Sequence, residues 1–381
     1  MLQEAGFDVE VAAFERDYHS GRFPDCPIEY LGKISHGRYA RRATMLPRVF
    51  RKLRRAIARN DLIYASGIDV ALLAAACGVN KRKPMVIEVG DVRAIQLRGG
   101  SLGRLVRMVE RRLVEASDLL VVTAPRFYDE YYKGWLHTTV PGMVIENKLE
   151  RAFARSTRRK GVARPLGRPL VDRPLRIGYF GLLRDWWSWE TLRLVAELAP
   201  RDVEISLAGL PTEELSDLEQ MVGAYPNIEY RGTYRSPQDL ASLYNNVDMA
   251  WVCYPPIGPQ DWNLRWARPN RFYESCLFKK PIFTRAGCQD AIDVTRLGIG
   301  LVIDECNPCA AARSILSITA ADIDHWAANM DTLPERVFAH GDEAERLGAR
   351  VRQILSAVQN RRQPGGLDRS LSRRSAGQIS W

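Results

Sequence analysis

The sequence contains no uninterrupted apolar run near the roughly 20 residues that a membrane-spanning helix needs. Its first residues, Met1–Gly6, show neither the basic region nor the apolar region of a secretory signal peptide. We therefore expect a cytosolic chain. Cysteine is scarce, with seven in all, and one close pair, Cys306 and Cys309, has no second pair or His-x-x-x-His nearby to complete a zinc site. Reduced thiols and no bound metal are expected.

Nucleic-acid binding is also disfavoured, because no helix-turn-helix, zinc finger or RNP-like motif accompanies the basic residues. The net charge of +10 is concentrated in three stretches, Arg38–Asn60, Arg151–Arg176 and Asn360–Trp381. Together these carry +21, so the rest of the chain carries −11. This pattern indicates a mildly acidic globule with three basic attachments rather than a uniformly basic protein.

The 381 residues, 46% hydrophobic and 26% charged, are typical of two globular domains. Short β-branched runs alternate with helical patterns, which predicts parallel sheets built from βαβ units. The predicted strands are Val9–Phe14, Leu62–Tyr64, Met85–Val89, Leu119–Thr123, Val144–Glu146, Arg176–Phe180, Val203–Ala208, Ile228–Tyr230, Met249–Cys253, Pro281–Thr284 and Leu301–Ile303. Predicted helices include Leu102–Ser117, Trp189–Leu198 and Pro237–Asn246.

These elements group into two doubly wound Rossmann-like domains that face each other across a cleft. We predict a first domain over residues 1–150, a basic linker over 151–174, a second domain with terminal helices over 175–358, and a disordered basic tail over 359–381. The first domain lacks the strand and glycine-rich turn with which such a domain normally begins. We therefore expect the true start to lie upstream by about 30 residues, one βα unit.

The second domain opens with a strand, a glycine turn and a helix that we predict to begin near Ser188. A turn of this kind presents backbone N–H groups and a helix N-terminus to an anion such as a diphosphate. The alternative is that Ser188 only caps the helix and the neighbouring tryptophans fill the domain interface.

A stronger signal lies in the segment from Asn263 to Glu274, followed by Lys280-Pro281. A helix beginning near Pro269 would carry Arg271 in its first turn and Glu274 one turn later on the same side. Arg271 could neutralise phosphate, and Glu274 could accept hydrogen bonds from vicinal ribose hydroxyls. The alternative is an exposed ion pair of little consequence.

This segment resembles the P-N-K-L-x-E-Y-L-x-x-G-K-P-V signature of family-4-type, nucleotide-sugar-dependent glycosyltransferases with the GT-B fold. The turn from Gly181 to Glu190 is similar to the G-x-x-x-x-W-F-D-x-E version of a bacterial subset, and Ile87–Arg93 is similar to that subset's Y-E-x-H-D-L-R loop. The resemblance extends from about Glu4 to Leu347. It implies retaining transfer of a sugar, of the hexosyl type, from a nucleoside-diphosphate sugar, with no further cofactor and no metal.

By this resemblance the donor would bind at Gly181, Arg184, Trp186, Asn263, Asn270, Arg271 and Glu274, and the catalytic residues would be Asp91 and Glu88. Asp91 follows a strand at the cleft-facing end of its sheet, where it could orient or deprotonate the acceptor hydroxyl. The alternative is a helix cap or a partner for Arg93.

The chain departs from the family pattern at several positions. The first of two glutamates that the family often has eight residues apart is Trp266 here, and the histidine of the His-Asp pair is Gly90. Leu182 and Trp187 stand where an Arg and a Lys commonly bind the diphosphate, so Arg184 or Arg271 would have to supply that charge.

The basic stretch Arg38–Asn60 carries Leu46, Phe50, Leu53 and Ile57 at helical spacing. It is typical of an amphipathic helix that binds anionic lipid headgroups, so we predict peripheral attachment to the inner face of the cytoplasmic membrane. The alternative is a cationic helix whose apolar stripe packs on its own domain.

Three functions are consistent with these features. The first is a glycosyltransferase of cell-surface or exopolysaccharide synthesis that acts on a glycan or polyprenyl-linked acceptor. The second is a nucleotide-sugar epimerase on the same fold. The third is a non-catalytic member that binds nucleotide or membrane, which the departures at Gly90 and Trp187 keep open.

Overall fold

The computed structural model describes residues 1–16, 24–34, 39–78, 83–161, 173–258 and 261–362. Three predictions fall partly outside these ranges: Arg38 of the basic stretch, residues 162–172 of the linker, and the tail from residue 363 onward.

The N-terminal domain has two parallel sheets. One contains strands β1 (Val11–Arg16) and β2 (Ile28–Ile34), and the other has the order β3-β4-β5-β6. These four strands are Ile63–Ser66, Met85–Val89, Leu119–Val122 and Gly142–Val144. Strand β5 is entirely apolar and buried, as expected of a central parallel strand that is covered on both faces.

Helices cover the faces of these sheets. They are α1 (Tyr39–Arg59), α2 (Ile68–Gly78), α3 (Ala94–Leu97), α4 (Gly100–Glu115) and a π-helix at Phe127–Trp135. Helix α1 packs against α2, and α2 packs against α4. The sequence-predicted helix Leu102–Ser117 corresponds to α4, whereas strand β2 has no counterpart among the predicted strands.

The C-terminal domain contains one six-stranded parallel sheet in the order β12-β11-β10-β7-β8-β9. Its strands are β7 (Leu175–Leu183), β8 (Val203–Pro211), β9 (Ile228–Tyr230), β10 (Met249–Trp251), β11 (Ile282–Arg285) and β12 (Gly300–Ile303). The order reverses between β7 and β10, which is the doubly wound arrangement predicted from the sequence. Ligands of such sheets bind beyond the carboxyl ends of the strands at this point.

Most helices after β7 pack on the C-terminal sheet. The helices after β7 are α6 (Trp186–Leu198), α7 (Leu218–Val222), α8 (Leu240–Tyr244), α9 (Trp262–Trp266), α10 (Asn270–Leu277), α11 (Gln289–Leu297), α12 (Pro308–Leu316), α13 (Ala320–Asp331) and α14 (Glu343–Arg362), with 3₁₀ turns at Glu213–Leu215 and Glu335–Val337. Thr319 and Asp322 form a reciprocal capping box at the start of α13.

Two segments pack in places other than those predicted from the sequence. Residues Arg151–Lys160 of the predicted linker form helix α5, whose Ala154 is buried in the C-terminal core, because its few apolar residues fall on one face. Helix α14 lies with the first domain instead of the second: Leu347, Val351 and Ile354 pack on Val86 and Val121 of the N-terminal sheet. It also continues to Arg362, past the predicted start of the tail.

Candidate active site

The carboxyl end of β7 brings the backbone of Gly181 against the first turn of α10. Gly181 has φ +114°, a left-handed value that side chains rarely adopt, and a Cβ built there would lie 4.0 Å from Arg271 Cδ and 3.8 Å from the Tyr234 hydroxyl. A glycine here keeps the strand end free of a side chain beside a cationic group. The role of Gly181 in backbone contact with an anion stays a prediction.

Arg271 is buried at the start of α10. Its guanidinium lies 4.7 Å from the centre of the Tyr179 ring, and its Nη1 donates a hydrogen bond to the Trp251 carbonyl at 3.3 Å. A buried guanidinium has few favourable surroundings other than anions and aromatic faces. Its position at the carboxyl ends of β7 and β10 suits it to bind an anionic ligand in the cleft.

Glu274 follows one turn later and is only 4% exposed. It accepts a hydrogen bond of 2.8 Å from the Tyr244 hydroxyl. Burial raises the pKa of the Glu274 carboxyl, an effect opposed by that hydrogen bond and by the Arg271 charge. Because both side chains are buried, the alternative of an exposed Arg271–Glu274 pair is wrong.

Arg184 supplies a second cation beside the same strand ends. Its guanidinium lies 5.9 Å from the ring of Tyr254, and its buried Nε has no hydrogen-bond acceptor among the described residues. Burial raises the pKa of Tyr254 to about 12, the nearby charge of Asp91 acts in the same direction, and the charges of Arg271 and Arg184 act against it. Tyr254 is thus close to cations of the second domain and to the carboxylate of the first.

The helix after the glycine turn begins differently from the sequence prediction. Helix α6 starts at Trp186, and its cap is Asp185, whose carboxylate accepts a hydrogen bond from Ser188 N at 2.7 Å. Ser188 is fully buried and its hydroxyl accepts a hydrogen bond from Trp251 Nε1 at 3.0 Å. A carboxylate therefore occupies the helix N-terminus, so the predicted diphosphate contact at that end is disfavoured electrostatically.

The two tryptophans of this turn have different environments. Trp186 is 53% exposed, which leaves it accessible for a donor contact. Trp187 is buried, stacks with Trp251 at 5.9 Å, and donates a hydrogen bond to the Cys306 carbonyl at 2.8 Å. Trp187 is therefore a core residue of the C-terminal domain where the family commonly has a lysine.

Asp91 lies just beyond β4, at the carboxyl edge of the N-terminal sheet. Its Oδ1 accepts a hydrogen bond of 3.0 Å from Asn263 Nδ2, and Asn263 Oδ1 accepts one of 3.0 Å from Val92 N. Arg93 instead pairs with Asp69, and the cap of α3 is Arg93. Both alternatives for Asp91 are therefore wrong: its partner is an amide of the opposite domain.

Glu88 does not share a cavity with Asp91. Its carboxylate accepts a hydrogen bond of 2.6 Å from the Tyr64 hydroxyl. It lines a cavity of about 670 Å³ between β1 and β3, together with Tyr64 and Asn270, whereas Asp91 lines another of about 550 Å³. Glu88 lies within β4, whereas Asp91 lies in the loop after the strand has ended, so the two carboxylates line different cavities.

Trp266 belongs to the core of the N-terminal domain although it follows the C-terminal strand β10. It is 2% exposed and contacts Phe127 edge-to-face at 6.1 Å. Trp262, on the same short helix α9, packs against Trp135 at 4.7 Å. Helix α9 thus joins the two domains and holds Asn263 against Asp91.

Sequence reasoning missed the tyrosines of the site. Tyr234, Tyr244 and Tyr254 surround Gly181, Arg271 and Glu274, but they lie on separate loops and helices far apart in the chain. Tyr234 and Tyr254 lie in the loops after β9 and β10, whereas Tyr244 ends α8, so no common local pattern marks the three tyrosines. Only the fold brings them together.

The chain has the GT-B fold, with two Rossmann-like domains built on parallel sheets. Residues 1–136 match the family of glycosyl transferase 4-like domains. The resemblance to family-4-type GT-B glycosyltransferases is thereby confirmed.

A curated relative is the succinoglycan biosynthesis protein ExoL of Rhizobium meliloti (strain 1021), 29% identical over 330 residues, which cover 84% of this chain and 76% of the relative. Among solved structures, the sucrose-phosphate synthase of Thermosynechococcus elongatus superposes with a TM-score of 0.69 at 18% identity, covering 93% of this chain and 91% of the other. HepE of Anabaena, solved in complex with UDP, gives a TM-score of 0.58 at 16% identity, with coverages of 87% and 86%.

Proposed function

We propose that this chain is a retaining hexosyltransferase of exopolysaccharide synthesis that needs no metal. It would move a sugar from a nucleoside-diphosphate sugar to a hydroxyl of a glycan or polyprenyl-linked acceptor. The observation that carries the proposal is the hydrogen bond from Asn263 to Asp91, together with the burial of Arg271 and Glu274 on the helix that begins a few residues after Asn263. The relative's role in succinoglycan biosynthesis and the UDP bound to HepE support the same reaction class.

The chemistry is set by the charges of these residues. The leaving diphosphate carries most of the charge that develops in the transition state, and fixed cations in a site shielded from water stabilise such charge most effectively. We assign this role to Arg271 and to Arg184, whose Nε has no other acceptor among the described residues. Tyr244 donates a hydrogen bond to Glu274 Oε2 and so fixes the carboxylate. The other carboxylate oxygen, Oε1, would accept hydrogen bonds from the ribose hydroxyls.

On the acceptor side, Asp91 would orient or deprotonate the attacking hydroxyl. The acceptor would approach through the cavity of about 550 Å³ that Asp91 lines with Gly90 and Asp69. Glu88 would act indirectly, because its carboxylate is engaged by Tyr64. Gly181, Trp186, Asn263 and Asn270 complete the proposed donor side, with domain closure aligning the two substrates.

Peripheral binding to the inner face of the cytoplasmic membrane is part of the proposal. No helix in the described part of the chain combines the length and hydropathy required to cross a bilayer. The side chains of Leu53 and Ile57 on α1 are buried in their own domain, while Arg48, Arg51 and Arg55 are exposed. Helix α1 can therefore contribute charge to a membrane contact but little apolar area.

The test is a release assay with a panel of nucleotide sugars that includes UDP-glucose, the donor seen with HepE. We expect nucleoside diphosphate to be released only when an oligosaccharide or polyprenyl-diphosphate-linked acceptor is present, with the donor's anomeric configuration kept in the product by NMR. An epimerase would instead convert the donor without acceptor. Donor binding with no turnover on any acceptor would favour the non-catalytic alternative.

A further inference from the structure

Helix α4 exposes an apolar ridge that borders the proposed acceptor cavity and extends beyond it. Leu102, Leu105, Met108 and Val109 are large apolar residues on its outer side, with Leu105 51% and Met108 43% exposed. Leu72 of α2 and Ile95 of α3 are exposed beside them. Leu72, Ile95, Leu105 and Val109 line one cavity, and Leu102 and Met108 continue along α4. Scattered exposed leucines are ordinary, but a group of this kind marks a contact surface. We call these six residues the α4 ridge.

The helix cannot rotate to bury this ridge. Glu110, on its inner side, is 1% exposed, and its carboxylate accepts hydrogen bonds from Tyr131, Tyr132 and Gln96 at 2.6 to 2.9 Å. Gly103 lies against the Arg98 carbonyl so closely that a Cβ there would sit 1.8 Å from it. These contacts fix which side of α4 faces the domain. The ridge is therefore a permanent feature of the outer surface.

Arginines predominate around the ridge, and the two exposed acids of the adjoining cavity have partners: Asp69 pairs with Arg93, and Asp91 accepts a hydrogen bond from Asn263. Arg104, Arg111 and Arg112 are exposed on the same side of α4, and Arg98 is exposed just before it. The two acids of the helix are engaged elsewhere: Glu110 is buried, and Glu115 accepts hydrogen bonds from Thr139. An apolar strip flanked by arginines, with the acids of its own helix engaged, is complementary to a surface that is apolar inside and anionic outside.

The surroundings favour a bilayer as the occupant. Helix α2 lies between α1 and α4, so the exposed arginines of α1 belong to the same layer of helices as the ridge. Leu105, Val109 and Ile95 also line the 550 Å³ cavity that contains Asp91. A lipid surface at the ridge would thus lie at the mouth of the proposed acceptor cavity.

We propose that the α4 ridge and its arginines are the surface by which this chain binds an anionic phospholipid bilayer, with the ridge side chains inserted at the headgroup boundary. Helix α1 adds long-range attraction. That a lipid-linked acceptor enters from this side rests on the transfer reaction proposed above. The lipid contact names the surface for the membrane attachment proposed there, and it can be measured without any transfer.

The experiment is co-sedimentation of the full chain with vesicles of phosphatidylglycerol and phosphatidylcholine in equal parts, and with vesicles of phosphatidylcholine alone. We expect binding to the anionic vesicles that weakens with salt. Leu105→Glu with Met108→Glu should weaken it about tenfold or more, because inserting a carboxylate beside anionic lipid is unfavourable. The matched control Leu198→Glu with Leu210→Glu changes two equally exposed leucines of the other domain and should leave binding unchanged.

A second variant tests the charge without altering the ridge. Arg104→Gln with Arg111→Gln and Arg112→Gln should lower affinity for anionic vesicles and flatten the salt dependence, while circular dichroism stays unchanged. Absence of vesicle binding, or equal binding by the ridge variant and its control, would overturn the proposal. So would a dimer in solution that the ridge variant converts to monomer, since a second copy would then cover the ridge. If the chain binds vesicles but transfers no sugar to any acceptor, only the proposed transfer reaction would be contradicted.

Discussion

Asn263 and Asp91 connect the two domains through a reciprocal amide contact. The amide donates to Asp91 Oδ1 at 3.0 Å and accepts from the backbone N–H of Val92 at 3.0 Å, so it fixes both the carboxylate and the chain beside it. The two residues are 172 positions apart. The orientation of the proposed acceptor-binding carboxylate therefore depends on how the domains pack.

Replacing Asn263 should slow transfer without abolishing it. Asn263→Ala removes one hydrogen bond to a carboxylate, and we expect kcat to fall about tenfold with the donor KM little changed. Asn263→Asp should lower kcat further than Asn263→Ala does, because two carboxylates would then face each other. Steady-state kinetics on both variants check this order, and an Asn263→Asp enzyme as active as the wild type would contradict it.

Asp91→Asn keeps the shape of the side chain but removes its charge. If Asp91 orients or deprotonates the acceptor, turnover should fall about a hundredfold or more. Donor affinity, measured by calorimetry, should stay within a factor of two or so. The matched control is Asp69→Asn, an exposed aspartate lining the same cavity, which should keep most of the activity. Equal losses in both variants would remove the role of Asp91.

Glu274→Gln should act on donor binding. Loss of the carboxylate weakens the proposed hydrogen bonds to ribose hydroxyls, so we expect donor affinity to fall about tenfold to a hundredfold. The variant should remain folded, since the amide can still accept a hydrogen bond from Tyr244. Glu219→Gln, on an exposed helix position, provides the control. Unchanged donor affinity in Glu274→Gln would show that this carboxylate is only structural.

Trp266 supports structure rather than chemistry. Trp266→Ala removes a large side chain from the N-terminal core and should lower the free energy of unfolding by about 3–5 kcal/mol. Trp266→Glu, which restores the residue type of the family pattern, should destabilise at least as much, because it buries a charge beside Phe127. Urea unfolding measures both. Trp186→Ala, at an exposed position, should cost less than about 1 kcal/mol.

Gly90 can be changed, unlike most glycines near the site. A Cβ added there meets only Thr123 Cγ2 at 4.0 Å, and its φ lies outside the left-handed region. Gly90→His should therefore fold with stability within about 0.5 kcal/mol of the wild type and should lower the donor KM if the histidine regains its contact with the transferred sugar. Gly209→His is the contrasting variant: its Cβ would lie 1.7 Å from the Gly181 carbonyl, so it should fail to fold. A large destabilisation of Gly90→His would contradict this expectation.

Local patterns in the sequence are enough to predict the parallel sheets and the placement of Arg271 and Glu274 one turn apart on one helix. Apolar strands such as Leu119–Val122 and their alternation with helices depend on neighbouring residues, and Arg271 and Glu274 are placed by helical spacing within one segment. The helix cap at Thr319 likewise depends on residues a few positions away. These features are predictable because their causes are local.

Which of these residues act together is settled by long-range packing instead. Helix α14 returns to the N-terminal sheet, Trp266 enters the core of the other domain, and Asp91 finds its partner in Asn263. The fold also makes Asp185, not Ser188, the cap of α6, and turns Glu88 away from Asp91. Burial and contacts between distant segments determine these outcomes, and neither spacing nor composition encodes them, since they depend on where those segments pack.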